Sequence, residues 1–455
     1  MSRFKVGAGI ACLDYPLDQY PAMCFFAVCE DKHDDCFCRA IAIENDDRRI
    51  IIMAYDLSDI PEAPDLEKKI SEATGVPEDD IIITVTHNHT SLCDRGAIRA
   101  RNGKNDESFR PKMFRIETEA SIKAAKSAVE SMRPAKYGYG QINSYIAANE
   151  VTRNPQIGLY EDPNGNGYID NTLAILKFVD ENDDLICVLM NHPCHATCAM
   201  GNDFNGKPAI SGNFTGVASR FVESYYGGGA VAAWTSGAAG NLHPIRDGHG
   251  RIDYTDGYVM NTELPDGTGF VMMEQTGRQH GIDAVNCIEK ITEYTDDIEI
   301  RHIKDKVKIE TQKRADSTGE RPPFGPRIDY GTDVKSNQSE PAAPFVRPVM
   351  VDDPDHPAEL LMEMLVLGDT AIVCFGCEMF CQIGKAIKDA VPAKNTIVIT
   401  HTPGYIGGDP LSVGYLVDKS SADSNLVKCF RNLKPGFYDD MLVEKSVAMY
   451  KEAIS

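Results

Sequence analysis

Two histidines one residue apart, His87 and His89, follow a β-branched run in "IIITVTHNHTSLCD". An extended segment alternates its side chains, so this spacing would turn both imidazoles to one face. Imidazole nitrogen is a common ligand for zinc, and a catalytic zinc site takes about three protein ligands and keeps one position open for water. More ligands must come from elsewhere. "LMNHPCHATCAMG" places His192 and His195 after an apolar run, "AAWTSGAAGNLHP" places Asn241 and His243 after another, and "VCFGCEMFCQIG" places Glu378 beside a glycine turn. Four apolar runs thus each end in a histidine or a carboxylate, a donor set that suits zinc. The bland alternative is a set of polar strand ends that bind nothing. No H-E-x-x-H helix is present to decide it.

Rigid strands are what would hold such ends in place. "RRIIIMAYD" and "DDIIITVTH" read as buried strands, separated by a helix "DLEKKISEATG" that stops at Gly75. "KMFRIETEASIKAAKSAVESM" reads as a long amphipathic helix. "LAILKFVD", "DLICVLMNHP" and "GGAVAAWTSG" follow as strands, and "TGVASRFVESYY" and "GRQHGIDAVNCIEKITEY" as helices. The mixture argues for an α/β architecture, with large mixed β-sheets covered by helices. One internal likeness stands out. A strand, an acid (Asp56 or Glu378), a helix and a second strand ending in Thr-His (His87 or His401) occur twice. Two such β-α-β units packed about a pseudo-twofold axis would bring their strand ends together.

The remaining polar residues have simpler readings. Asp56 would orient a ligand histidine or cap a helix. His33, His249, His280, His302 and His356 read as surface or loop residues, Trp234 as core, and the tyrosines of "YGYGQINSYIAANE" as edge-strand or pocket residues. From Lys306 to Val349 the chain turns rich in proline, glycine and charge. Loops of that length are commonly functional. Part of it is expected to close over a pocket, with Arg321, Arg327 and Arg347 facing a carboxylate-bearing substrate.

The 455 residues are 42% hydrophobic and 25% charged, ample for a core and consistent with one large domain over 1–455. A formal charge of −22 disfavours nucleic acid and anionic membranes as partners. It leaves a small-molecule substrate, with a homo-oligomer open. No apolar run is long enough to span a bilayer. The opening "MSRFKVGAGIACLDYP" has no apolar leader. The 14 scattered cysteines, including the C-x-C of Cys36 and Cys38, then read as mostly buried thiols in a reducing cytoplasm.

Taken in order, these segments resemble the catalytic domain of the neutral ceramidase family. "VGAGIACLDYP" resembles that family's start, "TVTHNHTS" its T-H-x-H-S signature and "NHPCHATCAMG" its His-Pro segment. "SGNFTGVASRFVE", "SGAAGNLHP", "FGCEMFCQIGKAIK" and "TPGYIGGDP" resemble later motifs in the same order, over Lys5 to Ala453. The resemblance implies zinc-dependent cleavage of an N-acyl amide. It implies His87, His195 and Glu378 as zinc ligands, His89 beside the reacting carbonyl, Arg153 as a substrate contact, and Tyr405 as a further catalytic residue able to stand in for a family ligand tyrosine. Zinc would lower the pKa of its water to about 7 and polarise the carbonyl.

Departures from the family pattern bear on the substrate. His243 stands where the family has serine, Asn241 where it has aspartate, Pro403 where it has asparagine, and Gly408 where it has a ligand tyrosine. The additional C-terminal β domain of classical ceramidases has no counterpart in these residues. The expectation is a linear-amide hydrolase for a small, soluble N-acyl substrate, using metal-activated water with His243 in the chemistry. An esterase, lyase or isomerase on the same scaffold, or a non-catalytic ligand-binding descendant, are the alternatives.

Overall fold

The computed structural model describes residues 4–16, 22–23, 28–46, 48–60, 62–92, 109–154, 158–161, 166–200, 203–246, 265–314, 350–355, 357–403, 405–406, 414–421, 433–434 and 438–455. A first sheet is built from Lys5–Cys12 (β1), Phe37–Glu44 (β2), Arg49–Tyr55 (β3), Ile81–Val85 (β4), Arg133–Asn143 (β5), Thr172–Asp180 (β6), Leu185–His192 (β7) and Val231–Ser236 (β8). Its order is β8-β7-β6-β5-β1-β2-β3-β4. A second sheet holds Ile300–Ile309 (β9), Ala358–Leu367 (β10), Thr370–Phe375 (β11) and Asn395–Thr400 (β12), in that order, with Tyr405–Ile406 added on β10.

Strands this uniformly apolar must be covered on both faces. Period-2 alternation sorts the two coverings. Ile50, Ile52 and Ala54 of β3 face the second sheet, where they share one core with Ile372, Cys374, Ile397 and Ile399. Ile51, Met53 and Tyr55 face outward to the helices Ala63–Thr74 (α1) and Phe109–Glu130 (α2). Asn213–Tyr226 (α3) and Thr268–Lys290 (α4) cover the other half of the first sheet through Phe214, Phe270, Met190 and the expected core residue Trp234. Gly277 lets α3 and α4 close up, because a Cβ there would stand 2.5 Å from that of Val217. Cys381–Ala390 (α5) and Tyr438–Ala453 (α6) cover Val373, Phe375 and Val398 of the second sheet. The layers run helix, sheet, sheet, helix, an α/β fold with mixed sheets as expected.

Most strand pairs are antiparallel; β3/β4, β7/β8 and β11/β12 are parallel. Each parallel pair is joined through a helix: α1, α3 and α5 respectively. So the repeated unit occurs three times, and the copy at β7-α3-β8 is one that the Thr-His pattern does not reveal.

Several sequence expectations change. The strand carrying Tyr137 and Tyr139 is internal to the sheet, between β1 and β6, and Tyr137 is buried. His280 and His302 are buried, while His249 and His356 lie outside the described residues. The irregular stretch begins later than Lys306. Lys306 to Ile309 finish β9, and Gln312–Arg314 pairs with Met350–Asp352. Arg321, Arg327 and Arg347, and the lid assigned to them, lie outside the described residues. Among the described residues ten cysteines are free and nine of these are buried, Cys36 and Cys38 among them. Cys29 departs from the reading of reduced thiols, being disulfide-bonded.

The two sheets are clasped where β4 begins. His302 Nε2 lies 3.1 Å from Glu363 Oε2 and its Nδ1 3.5 Å from Asp80 Oδ1. Lys304 Nζ lies 3.3 Å from the same Glu363 carboxylate, and Arg48 donates to Asp80 at 2.8 Å and to the His302 carbonyl at 2.8 Å. Burial alone would push His302 down, but Asp80 and Glu363 outweigh it and raise its pKa. A raised histidine pKa adds stability that is full below the unfolded value of about 6.5 and fades as pH rises through the folded value. Glu363→Gln strips the buried acid that His302 and Lys304 share, and should destabilise the fold by about 3 kcal/mol. Urea denaturation of both proteins across pH 6 to 9 should show the difference shrinking as pH rises; a pH-independent difference would mean His302 is neutral throughout.

Candidate metal centre

All three parallel units point their strand carboxyl ends to one place, where sheet-based folds hold ligands. One residue past β4, Thr86 N–H still donates to the Tyr55 carbonyl at 2.9 Å, and then the chain turns at His87 with φ 54°. A non-glycine residue rarely takes that left-handed region. His401, just past β12, does the same with φ 61°. The Val85 N–H donates to the His401 carbonyl at 3.2 Å, tying the two strand ends together. His87 and His89 therefore converge through a left-handed turn after the strand, not through strand alternation. Asn88 fixes that turn. Its Nδ2 donates to the Ser211 carbonyl at 2.6 Å, and its Oδ1 accepts from the Thr90 N–H at 2.9 Å.

His87, His195, Glu378 and His401 are all buried, and one ligand atom from each lies within 4.8 Å of the others. Glu378 Oε2 stands 3.4 Å from His87 Nε2 and 3.5 Å from His195 Nε2. Ligand atoms about 2.1 Å from a common ion are about 3.0–3.6 Å apart across angles of 90–120°. The tautomers agree with that use. His87 Nδ1–H donates to the Ser58 carbonyl at 3.0 Å and His195 Nδ1–H to the Ala239 carbonyl at 2.7 Å. With each Nδ1 committed to a backbone carbonyl, each Nε2 presents a lone pair toward the carboxylate, the outer-shell arrangement of metal-bound histidines. His195 Nε2 is buried without a well-formed hydrogen bond among the described residues. Acceptors facing acceptors in a dry pocket fit a divalent cation. Burial would raise the Glu378 carboxyl; with no ion bound, protonated His87 and His195 outweigh it and hold it well below the usual range, so the group is a carboxylate with a proton or a cation as its counter-charge.

The Gly/Ala turn after β8 lies against the glutamate. Gly240 N–H donates to the Met379 carbonyl at 2.7 Å, and a Cβ on Gly240 would stand 2.6 Å from the Glu378 carbonyl oxygen. Asn241 Oδ1 accepts from the Cys381 N–H at 2.9 Å, so it caps α5 from another element. Its place in the family pattern therefore goes to holding the Glu378 turn.

Around the four lie the other candidates. His89 sits 4.7 Å from the His87 ring and 5.7 Å from that of His195, with Nδ1 3.0 Å from Met200 Sδ. His243 packs 4.6 Å from His195, and its Nδ1 lies 2.9 Å from Glu150 Oε2. Glu150 had no signal in the sequence; it follows the short strand Ala147–Asn149, which pairs with Leu242–Pro244 and so brings it beside His243. Tyr415 was also missed. It pairs in register with Glu378, and its ring stacks 6.3 Å from His195. Arg153 and Tyr405 are on described strands, pairing with Leu159 and Glu359, but their side chains lie outside the described residues, as does Gly408.

Two residues leave the site. His192 turns away to donate from Nδ1 to the Thr172 carbonyl at 3.1 Å, and burial pushes its pKa down to about 4. Asp56 neither orients a histidine nor caps a helix. Its carboxylate accepts from the Phe37 N–H at 2.9 Å and from Arg39 at 3.0 Å, inside a buried group with Glu223.

The paired-sheet α/β fold has solved counterparts. The structure is similar to that of the neutral ceramidase from Pseudomonas aeruginosa, with a TM-score of 0.68 and 17% identity over 99% of this chain and 75% of that one. A ceramidase complexed with C2 matches with a TM-score of 0.68 and 16% identity, over 99% and 76% of the two chains. The fold is ceramidase-like, and at this identity the likeness carries the fold alone. No family model and no curated protein sequence matches the chain.

His195→Ala and Glu378→Gln should each lower the metal content of purified protein from about one equivalent per chain to near zero. His192→Ala, which removes a histidine outside the cluster, should leave it unchanged. Elemental analysis after zinc loading measures all three, and a wild type without metal would end this assignment.

Proposed function

We propose that the protein is a metal-dependent hydrolase that cleaves an N-acyl amide bond of a small soluble substrate. We read residues 1–455 as one catalytic domain working in the cytoplasm, with zinc as the ion. The observation that carries the reading is the buried meeting of His87 Nε2, His195 Nε2 and Glu378 Oε2. The ceramidase-like fold supports amide chemistry over other hydrolytic reactions. A divalent ion held there would supply Lewis-acid polarisation of a carbonyl and a lowered pKa for water.

The chain's own residues then divide the proton work. His243, gripped at Nδ1 by Glu150, offers Nε2 as the base that takes a proton from the attacking water. His89 holds the developing oxyanion or protonates the leaving amine. Arg153 holds the substrate, and Tyr405 is a further catalytic residue. No G-x-S-x-G nucleophile elbow exists, and the family's serine position is His243, which favours direct attack by water over a covalent acyl-enzyme.

Hydrolysis of a panel of N-acyl amino acids and amines, with their O-acyl counterparts, tests this. Chelation should abolish turnover and zinc should restore it. His243→Ala should lower kcat by about 10²–10⁴-fold with little change in KM and no loss of metal. Turnover that survives complete metal removal, or an acyl-enzyme trapped by mass spectrometry, would overturn the mechanism.

A further inference from the structure

The three histidines of the cluster are unequally spaced. The ring centroids stand 4.2 Å apart for His87–His401, 5.2 Å for His87–His195 and 6.1 Å for His195–His401. An imidazole bound through Nε2 has its ring centre about 3.2 Å from the ion, because the metal–nitrogen bond is about 2.1 Å. Two such rings are about 4.5 Å apart at a right angle, about 5.2 Å at a tetrahedral angle and about 6.4 Å when opposite. A tetrahedral centre would make all three separations alike. The observed separations are unequal: one pair is close, with its rings only 22° from parallel, one is intermediate and one is wide.

His401 is also prepared as a ligand. The Thr400 hydroxyl donates to the Gly237 carbonyl at 2.6 Å, which spends its single proton. Thr400 Oγ1 must therefore accept from His401 Nδ1–H, 2.8 Å away, leaving the Nε2 lone pair for the cluster. This reproduces, through one hydroxyl, the carbonyl locks on His87 and His195. The left-handed backbone at His401, φ 61°, is the second sign. Strain of that kind persists where the surroundings enforce a function.

We infer that His401 would serve as a fourth protein ligand beside His87, His195 and Glu378, so that one water or substrate oxygen on the same ion would make the centre at least five-coordinate. The inference rests on the metal reading proposed above. Three imidazoles and one carboxylate would hold the ion, and a water or a substrate carbonyl would add to them. Four protein donors of this kind accept first-row divalent ions at higher coordination numbers, cobalt and iron as well as zinc.

Cobalt(II) substitution reads the coordination number directly, since tetrahedral cobalt absorbs intensely in the visible and five- or six-coordinate cobalt weakly. The wild type should show the weak spectrum. His401→Asn suits the test because asparagine tolerates a left-handed backbone. It should bind cobalt on the order of 10- to 100-fold more weakly, and its visible band should intensify as a ligand is lost. Thr400→Val, which keeps the imidazole and removes its Nδ1 acceptor, should weaken binding by a smaller factor and serves if the first variant does not fold. An intense tetrahedral spectrum in the wild type, or variants with wild-type affinity and spectrum, would overturn the role of His401 while leaving a centre of His87, His195 and Glu378 in place. A wild type that takes up no cobalt would instead overturn the metal reading itself.

Discussion

Lone pairs aimed at one another set the terms for this molecule. Glu378 Oε2 faces His87 Nε2 at 3.4 Å and His195 Nε2 at 3.5 Å, all three residues being buried. Such a group is costly without a cation, because burial removes the water that would otherwise satisfy it. Its members come from three different units of the fold, so each unit must be stiff to hold its contribution. That requirement accounts for the apolar sheets, for the parallel pairs whose ends meet, and for the side chains that lock the turns: Asn88 under the first histidine pair and Asn241 under the glutamate.

The sheets supply the stiffness by being covered on both faces. The core between them is made of alternate residues of β3, β4, β11 and β12, and the same strands deliver His87, His401 and Glu378 at their ends. The positions of the site are thus set by core packing rather than by loops. The clasp of His302, Glu363, Lys304 and Asp80 lies where β4 starts, and the site lies where β4 stops. One strand is therefore fixed at both ends, by ion pairs at one and by the ligand cluster at the other.

Much of this was legible in the residues. Alternating apolar runs gave the strands, and polar residues after them gave His87, His195, Glu378, His89 and His243. What stayed hidden depended on contacts between distant segments. Glu150 reaches His243 only because Ala147–Asn149 pairs with Leu242–Pro244, and nothing local marks that pairing. Tyr415 joins through a two-residue strand beside Glu378. His302 and His280 looked exposed because an isolated histidine carries no sign of burial; their acid, serine and tryptophan partners are far away in sequence. Asp56 looked like the counterpart of Glu378 because both follow a strand and precede a helix. The difference is Arg39, whose guanidinium claims the Asp56 carboxylate from a neighbouring strand.

A histidine packed beside the cluster, His243, offers proton chemistry that a hydroxyl there would not. A serine hydroxyl near a metal can donate or accept a hydrogen bond but does not hold a proton near neutral pH, whereas an imidazole can. Its worth as a base depends on which nitrogen is free. The Glu150 carboxylate, 2.9 Å from Nδ1, fixes that tautomer and leaves Nε2 as the acceptor. A carboxylate beside a base also stabilises the imidazolium once a proton arrives, the same division of labour that a carboxylate and histidine perform in serine hydrolases. The acid that holds His243 thus comes with the histidine as one unit. Without Glu150 the His243 ring, packed 4.6 Å from His195, would have no carboxylate at Nδ1 to set its tautomer. The pairing of Ala147–Asn149 with Leu242–Pro244 across one short two-stranded ribbon is what brings the two residues together.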